Sequence, residues 1–240
     1  KAVSCYSIGL SVHSTRRQIA RIGTAAALLA AVQSVLGKPS PDSHRQAPAL
    51  FIGHGSPMNA IDDNDYTRGW AAAGAALTGA RAILSVSAHW QTRGGTYITS
   101  AAKPRTIYDM RGFPEALYKV RYDVPGDPQL AAQLDNTPYR YPVAASETWG
   151  LDHGSWSVLV HLRPKADIPV LQLSLNHGLS LMQHYELGRQ LAELRKRGVA
   201  ILGSGNIVHN LRLRRGIDNP YDWASEFDER IAKLANDRNF

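Results

Sequence analysis

The sequence contains a single cysteine, Cys5, in 240 residues. A disulfide framework and a thiolate metal site both need several cysteines, so both are excluded. A cysteine nucleophile is not expected either, because Cys5 lies in an N-terminal leader. A chain of this length can bury a full hydrophobic core without disulfides or structural metals. Any metal site in this protein must therefore use nitrogen and oxygen ligands.

Sequence motifs of three other enzyme classes are also missing. No Gly-x-Gly-x-x-Gly segment predicts a dinucleotide site. Ser56 and Ser204 lie in glycine-flanked turns, but neither forms the Gly-x-Ser-x-Gly elbow that exposes a nucleophilic serine. The His-Glu-x-x-His pattern of many zinc hydrolases is absent as well. A serine hydrolase is therefore not expected, and a zinc-dependent hydrolase remains only a minor alternative.

Acidic residues are outnumbered by basic ones, and the formal net charge is +7. Residues 1–48 carry +5 of this charge, so the rest of the chain carries only +2. A nucleic-acid-binding protein concentrates its basic side chains on the folded body. The cluster of Arg212, Arg214 and Arg215 is the one candidate there, and a solvated basic surface accounts for it. No nucleic-acid partner is expected.

Residues 1–47 are predicted to form a leader. Arg16 and Arg17 precede an alanine-rich apolar run over residues 22–36, and a linker rich in proline and glycine follows. Paired arginines before a short apolar stretch are typical of a twin-arginine export signal. An extra helix that packs on the domain or on a partner subunit is the alternative. A stable membrane span, which needs about 20 apolar residues, is not expected. The predicted location is the cytoplasm, or the periplasm if the leader directs export, and the oligomeric state is left open.

Residues 48–240 are predicted to form a single α/β domain with a central mixed, partly parallel sheet flanked by helices. Strand-like apolar runs alternate with helical patterns along this part of the chain. The clearest helix spans residues 180–197. It opens with the capping-box pair Ser180 and Gln183, and it ends in a basic turn followed by Gly198. Further helices are predicted over residues 64–77, 128–134 and 221–236, and a buried strand over residues 168–175.

Three strand-like runs lead into loops that carry histidines. The runs 49–52, 83–88 and 199–202 precede His54, His89 and His209, respectively. Because the carboxyl ends of neighbouring strands line one crevice in an open α/β sheet, these imidazoles are expected to meet there. They predict a mononuclear metal site, for which imidazole ligands suit Zn, Fe(II), Cu and Ni. His209 fits the role of a ligand or of a general base equally well.

A fourth histidine, His153, lies in a segment flanked by glycines and tryptophans. Flat aromatic walls with one proton-transfer group suit an aromatic substrate, so His153 is interpreted as part of a substrate pocket. The alternative is a helix start that is capped by Asp152.

Five motifs together resemble those of a known family. In chain order they are Leu50–Asn59, Ser87–Trp90, Gly112–Pro114, Trp149–Gly154 and Gly205–Arg212. They are similar to the class III extradiol ring-cleavage dioxygenases, in the branch of the DOPA 4,5-dioxygenases. The resemblance extends from about residue 48 to the end of the chain.

The resemblance implies roles for five side chains. His54 and His89 correspond to metal ligands. His209 corresponds to a ligand in this branch and to an acid/base residue in more distant relatives, so it is expected in the metal set and among the catalytic residues. His153 is expected to act in catalysis and, with Trp90, in substrate binding.

The resemblance also implies the reactants. The expected activity is a non-haem Fe(II) extradiol cleavage of a small, DOPA-like catechol with O2, with zinc as a frequent occupant of the same site. The family carries a further metal-binding histidine in a C-terminal segment. The given sequence stops at Phe240, and this segment is expected to be missing from it. The alternative is a non-catalytic metal-binding or interaction protein with the same fold.

Overall fold

The computed structural model describes residues 46–210, 212–213 and 220–237. The predicted leader lies outside the described residues, apart from its last two positions, and so do Arg214 and Arg215. Within the described part of the chain, no helix has both the length and the apolar character that a membrane span requires.

Six strands form one mixed sheet. They are β1 (Ala49–Gly53), β2 (Ala82–Thr92), β3 (Thr96–Thr99), β4 (Val143–Ser146), β5 (Val170–Asn176) and β6 (Val199–Gly205). Their order across the sheet is β1-β6-β2-β5-β3-β4. The first four strands in this order run parallel to one another, whereas β3 pairs antiparallel with β5 and parallel with β4. The predicted mixed, partly parallel sheet is thus confirmed, and four strands end at the same edge.

In the described part of the chain, six α-helices accompany the sheet. They are α1 (Asp65–Ala73), α2 (Glu115–Tyr118), α3 (Pro128–Asp135), α4 (His153–Leu162), α5 (Leu181–Leu191) and α6 (Asp222–Asp237). Short 3-10 helices span Pro57–Ala60, Gly74–Leu77 and Ala192–Arg197. The predicted helix over residues 180–197 is therefore an α-helix that tightens in its last turns. Its capping box is present, and Gly198 ends it with a φ of 79°.

Helices cover both faces of the sheet. Successive side chains of a strand point to opposite sides, so each central strand contributes to the core on both faces. Ile83 contributes to a core cluster shared with Trp70 of α1 and Trp156 of α4. Its neighbour Leu84 contributes to a second cluster, shared with residues of α3 and α5. The central strands are thus buried on both faces, as is typical of parallel sheets.

The structure corrects the predicted end of the second strand. His89 was expected in a loop after residues 83–88, but β2 continues to Thr92 and includes His89. The pairing of β2 with β5 shifts between Val86 and Gln91, so β2 carries an irregularity of the β-bulge type in the stretch that contains His89. A bulge redirects side chains locally without ending the strand, and the apolar pattern alone does not reveal one.

Candidate metal centre

Three imidazoles meet beyond the carboxyl edge of the parallel strands. Their ligand atoms, one each from His54, His89 and His153, all lie within 4.8 Å of one another. His54 follows the last residue of β1, His89 lies in the irregular part of β2, and His153 is the first residue of α4. Different elements therefore deliver three side chains of one chemical type to one point.

The orientation of His54 is set by a hydrogen bond from its far side. Its side chain is buried, and its Nδ1 lies 3.0 Å from Oγ of Ser204 on β6. The Ser204 hydroxyl donates its single proton to the carbonyl of Gly154, so it can only accept from His54. Nδ1 of His54 therefore carries the proton, and Nε2 keeps its lone pair for a ligand.

The distance between the first two imidazoles fits a shared ion. Nε2 of His54 lies 3.1 Å from Nε2 of His89. Two nitrogens that bind one ion at about 2.1 Å each are separated by roughly 3 Å when their bonds meet at about 90–110°. The three-imidazole donor set suits zinc and divalent iron alike. The residues present thus fit the metal that the resemblance implies.

Both of these imidazoles are strongly disposed to be neutral. Burial, helped by the neighbouring His89, lowers the pKa of His54 from 6.5 to about 3. Burial and the nearby His153 lower the pKa of His89 to about 4, against the opposing effect of Asp109. Because a metal binds only the unprotonated nitrogen, the site is prepared for a cation at neutral pH.

Acidification is expected to destabilise the metal-free protein. In the unfolded chain, His54 takes up a proton near pH 6.5, whereas in the folded protein it stays neutral down to about pH 3. The unfolded state then binds more protons, so the free energy of unfolding falls as the pH falls below 6.5. His54 alone contributes a loss of about 2 kcal/mol between pH 6.5 and pH 5. Urea unfolding at several pH values measures this, and an equal pH dependence in His54→Gln would contradict it.

His153 reaches the cluster as the first residue of α4. Asp152 is the N-cap of this helix, and its side chain accepts from the backbone N–H of Ser155. Gln172 of β5 fixes the cap, because its Nε2 donates to Asp152 and its Oε1 accepts from the Asp152 backbone N–H at 3.1 Å. The two interpretations of His153 are therefore compatible, since the helix start that Asp152 caps is what presents this imidazole to the site.

Gly154 allows α4 to approach the sheet at this point. A Cβ atom at residue 154 would collide with the Ser87 hydroxyl and lie 3.0 Å from Cδ2 of His89. Both atoms belong to β2, so a larger side chain would push this strand or the helix away. The close approach of α4 to β2 thus depends on a glycine that follows the helix's first residue.

Gly154→Ala is accordingly expected to weaken zinc binding by about 10-fold or more, because it displaces His89. It is also expected to lower the free energy of unfolding by about 1–3 kcal/mol through overpacking. Gly188→Ala is the matched control, since Gly188 also lies in a helix and has no atom within 4 Å of the added methyl group. Chelator competition and urea unfolding measure the two effects, and equal behaviour of both variants would contradict the assignment.

His209 lies outside this group of three. β6 ends at Gly205, and His209 follows in an exposed loop. It is still near enough for its charge to lower the pKa values of His54 and His89. The loop is tied to the site because Oδ1 of Asn206 accepts from the backbone N–H of Gly55 at 3.0 Å. The structure thus groups His153 with His54 and His89, and it leaves His209 beside this cluster.

Comparison with known proteins identifies the family. A family model described as "Catalytic LigB subunit of aromatic ring-opening dioxygenase" matches residues 48–240. The chain belongs to this family.

Individual relatives support the membership in the LigB family. A "4,5-DOPA dioxygenase extradiol" of Escherichia coli (strain K12) is 48% identical over 192 residues, which are 79% of this chain and 70% of the relative. A protein of the same name from Beta vulgaris is 38% identical over 187 residues, 75% of this chain and 69% of that protein. The crystal structure of an uncharacterized protein from Escherichia coli K12 superposes with a TM-score of 0.64 at 42% identity, covering 78% of this chain and 72% of that one. The resemblance deduced from the five motifs is confirmed, and the protein is an extradiol dioxygenase of the LigB family rather than a non-catalytic relative or a zinc hydrolase.

Trp90, expected in the substrate pocket, is almost fully buried in this LigB-family domain. Its ring stacks on Trp149, with centroids 5.5 Å apart and planes 7° from parallel. Trp90 follows His89 in sequence, and Trp149 precedes the segment that leads to His153. The two stacked rings are therefore close in sequence to two members of the imidazole cluster. Trp149 is the more exposed of the two rings.

Three residues that support the cluster were not predicted. Ser204 orients His54, and it had been considered only as a nucleophile. Asn59 donates to the backbone carbonyl of His54 at 3.1 Å, and its own carbonyl lies 2.7 Å from Nε2 of His161. Asp109 contacts His153 through its carboxylate. Asn59 and Ser204 lie inside or beside the recognised motifs, whereas no sequence signal marks Asp109.

Proposed function

We propose that this protein is an Fe(II)-dependent dioxygenase that opens the ring of a small, DOPA-like catechol with O2. The observation that carries the proposal is the cluster of His54, His89 and His153, placed at the strand edge of a LigB-family domain. The names of the relatives support the substrate class, because the proteins from Escherichia coli and Beta vulgaris are both called 4,5-DOPA dioxygenase extradiol.

We infer that the same three imidazoles hold the metal. Bound there, a divalent iron would supply Lewis acidity toward the catechol oxygens and one-electron chemistry toward O2. Zinc has no redox chemistry, so we propose it as an occupant that binds without supporting turnover. The supporting residues act on the ligands: Ser204 holds the Nδ1 proton of His54, and Asp152 fixes the helix start that carries His153.

We assign the proton transfer to His209. A catechol gives up a hydroxyl proton when it binds a metal as a catecholate anion, and imidazole is the side chain that most often accepts a proton in enzymes. His209 lies outside the ligand cluster, in an exposed loop, yet its charge acts on His54 and His89. In this assignment, His209 accepts a substrate proton and does not compete for the metal.

We assign the aromatic wall of the pocket to Trp149, with Trp90 behind it. Trp149 is the more accessible ring of the stacked pair, so it is the one that a flat substrate can contact. Trp90 supports it from the buried side and serves the substrate indirectly. This assignment modifies the expectation that Trp90 itself binds the substrate.

The proposed function is tested with protein purified without oxygen and loaded with Fe(II). Elemental analysis is expected to give one metal per chain, and DOPA is expected to trigger oxygen uptake together with a ring-opened product. Two controls separate the parts of the proposal. Tyrosine, which lacks the second hydroxyl, and the zinc-loaded protein are both expected to give no uptake. Bound iron without catechol-dependent uptake would contradict the proposed function.

A further inference from the structure

The carboxylate of Asp109 lies against two imidazoles of the cluster at once. Its Oδ2 is 2.9 Å from Nδ1 of His153 and 3.6 Å from Nδ1 of His89. Its Oδ1 accepts the backbone N–H of His153 at 2.9 Å. Although Asp109 lies in the exposed connection between β3 and α2, its side chain is only 17% exposed. The Asp109 side chain therefore faces the Nδ1 atoms of two of the three imidazoles.

The carboxylate is held in its charged form in spite of its partial burial. Its Oδ1 accepts the backbone N–H of His153, and a hydrogen bond of this kind favours the ionised carboxylate. The charge also faces the N-terminal turn of α4, where the backbone N–H groups favour an anion. At neutral pH the group beside these imidazoles is thus a pure hydrogen-bond acceptor.

An acceptor at Nδ1 decides which nitrogen of an imidazole can bind a metal. A neutral imidazole carries one proton, and a carboxylate beside Nδ1 favours the form with the proton on that atom. Nε2 is then left unprotonated. Nδ1 of His153 is buried, and among the described residues no partner meets hydrogen-bond alignment with it, while the Asp109 carboxylate lies 2.9 Å away.

For His54, a different group keeps the proton on Nδ1. Its Nδ1 bonds to Ser204 and not to a carboxylate. The Nδ1 atoms of the cluster therefore face two groups. A hydroxyl is hydrogen-bonded to His54, and one carboxylate lies 2.9 Å from His153 and 3.6 Å, an ion-pair distance, from His89.

We propose that Asp109 is a positioning residue that orients His89 and His153 together and directs Nε2 of each toward one metal ion. This inference rests on the proposed function only in that the cluster binds a metal. Asp109 itself touches neither metal nor substrate in this assignment. It acts on the geometry and on the proton position of the two side chains that do.

The test is the zinc affinity of Asp109→Asn, measured by chelator competition. When the asparagine oxygen takes the backbone N–H of His153, the amide presents an N–H group to the imidazoles, so a donor replaces an acceptor. Zinc affinity is expected to fall by about 10- to 100-fold. Asp123→Asn is the matched control, because Asp123 is exposed and pairs with Arg121 away from the cluster. It is expected to bind zinc like the unchanged protein.

Two further measurements separate positioning from a general structural role. The thermal unfolding midpoint of the metal-free Asp109→Asn protein is expected to stay close to that of the unchanged protein. Asp109→Glu keeps an acceptor and is expected to recover most of the lost affinity. Unchanged zinc affinity in Asp109→Asn would overturn the proposal, and so would a loss in Asp109→Glu as large as in Asp109→Asn.

The readout is independent of catalysis. If the unchanged protein binds zinc but does not cleave catechols when loaded with iron, the proposed function fails and the role of Asp109 can still be confirmed. If the unchanged protein cleaves catechols while Asp109→Asn keeps full zinc affinity, the proposed function stands and the role of Asp109 is refuted.

Discussion

Replacing His54 with alanine is expected to abolish both metal binding and oxygen uptake with DOPA. His54 is 2% exposed and lies in hydrogen-bond distance of two groups, Ser204 at Nδ1 and His89 at Nε2. Because this position is buried, we expect no water molecule to take the place of the lost imidazole as a ligand. We expect the metal affinity to fall by more than the 10- to 100-fold that is typical of losing an outer-shell partner.

The measurement is elemental analysis after loading with Fe(II) or zinc, followed by oxygen uptake on the iron-loaded protein. His184→Ala is the control, because His184 lies on α5, whose buried leucines belong to the opposite face of the sheet from α4. That variant is expected to keep both metal and activity. Full metal occupancy in His54→Ala would contradict the assignment of His54 as a ligand. A metal-free melting transition similar to that of the unchanged protein would show that the fold has survived the substitution.

The parts of the fold that could be predicted are those governed by local rules. The helix over residues 180–197 was correctly bounded because capping residues and a terminal glycine act within a few positions of the chain. The parallel strands were predicted because a strand that is buried on both faces needs a continuous apolar run, such as Val199–Leu202. Each of these signals is complete within about a dozen residues.

The composition of the imidazole cluster could be predicted only in part, because it depends on how distant elements pack. His54 could be anticipated, since the edge reached by parallel strands follows from topology alone. His153 was anticipated in the substrate pocket but not within the cluster, because its distance to the other imidazoles depends on the close contact of Gly154 with β2. Asp109 is 44 residues away from His153 in sequence, and no periodicity or turn signal relates them.

The second large effect is the contrast between the alanine variants of His153 and His209 in metal affinity and in turnover. The geometry places His153 within the imidazole cluster and His209 outside it, in the loop that follows β6. His153→Ala is therefore expected to weaken metal binding by more than about 100-fold, as for His54→Ala. His209→Ala is expected to leave the metal affinity within a factor of a few and to slow turnover by about 10²- to 10⁴-fold, the usual contribution of a general base.

The two variants must be compared in metal occupancy and in oxygen uptake, because losing a ligand and losing a proton acceptor change different quantities. Loss of a ligand lowers occupancy, and activity then recovers as the concentration of Fe(II) is raised. Loss of a proton acceptor leaves occupancy intact, and no concentration of Fe(II) restores turnover. The opposite pattern, with a metal-free His209→Ala and a metal-loaded but slow His153→Ala, would return His209 to the ligand set and His153 to the substrate pocket. That outcome would mean that the loop of residues 206–210 closes onto the cluster when the metal binds.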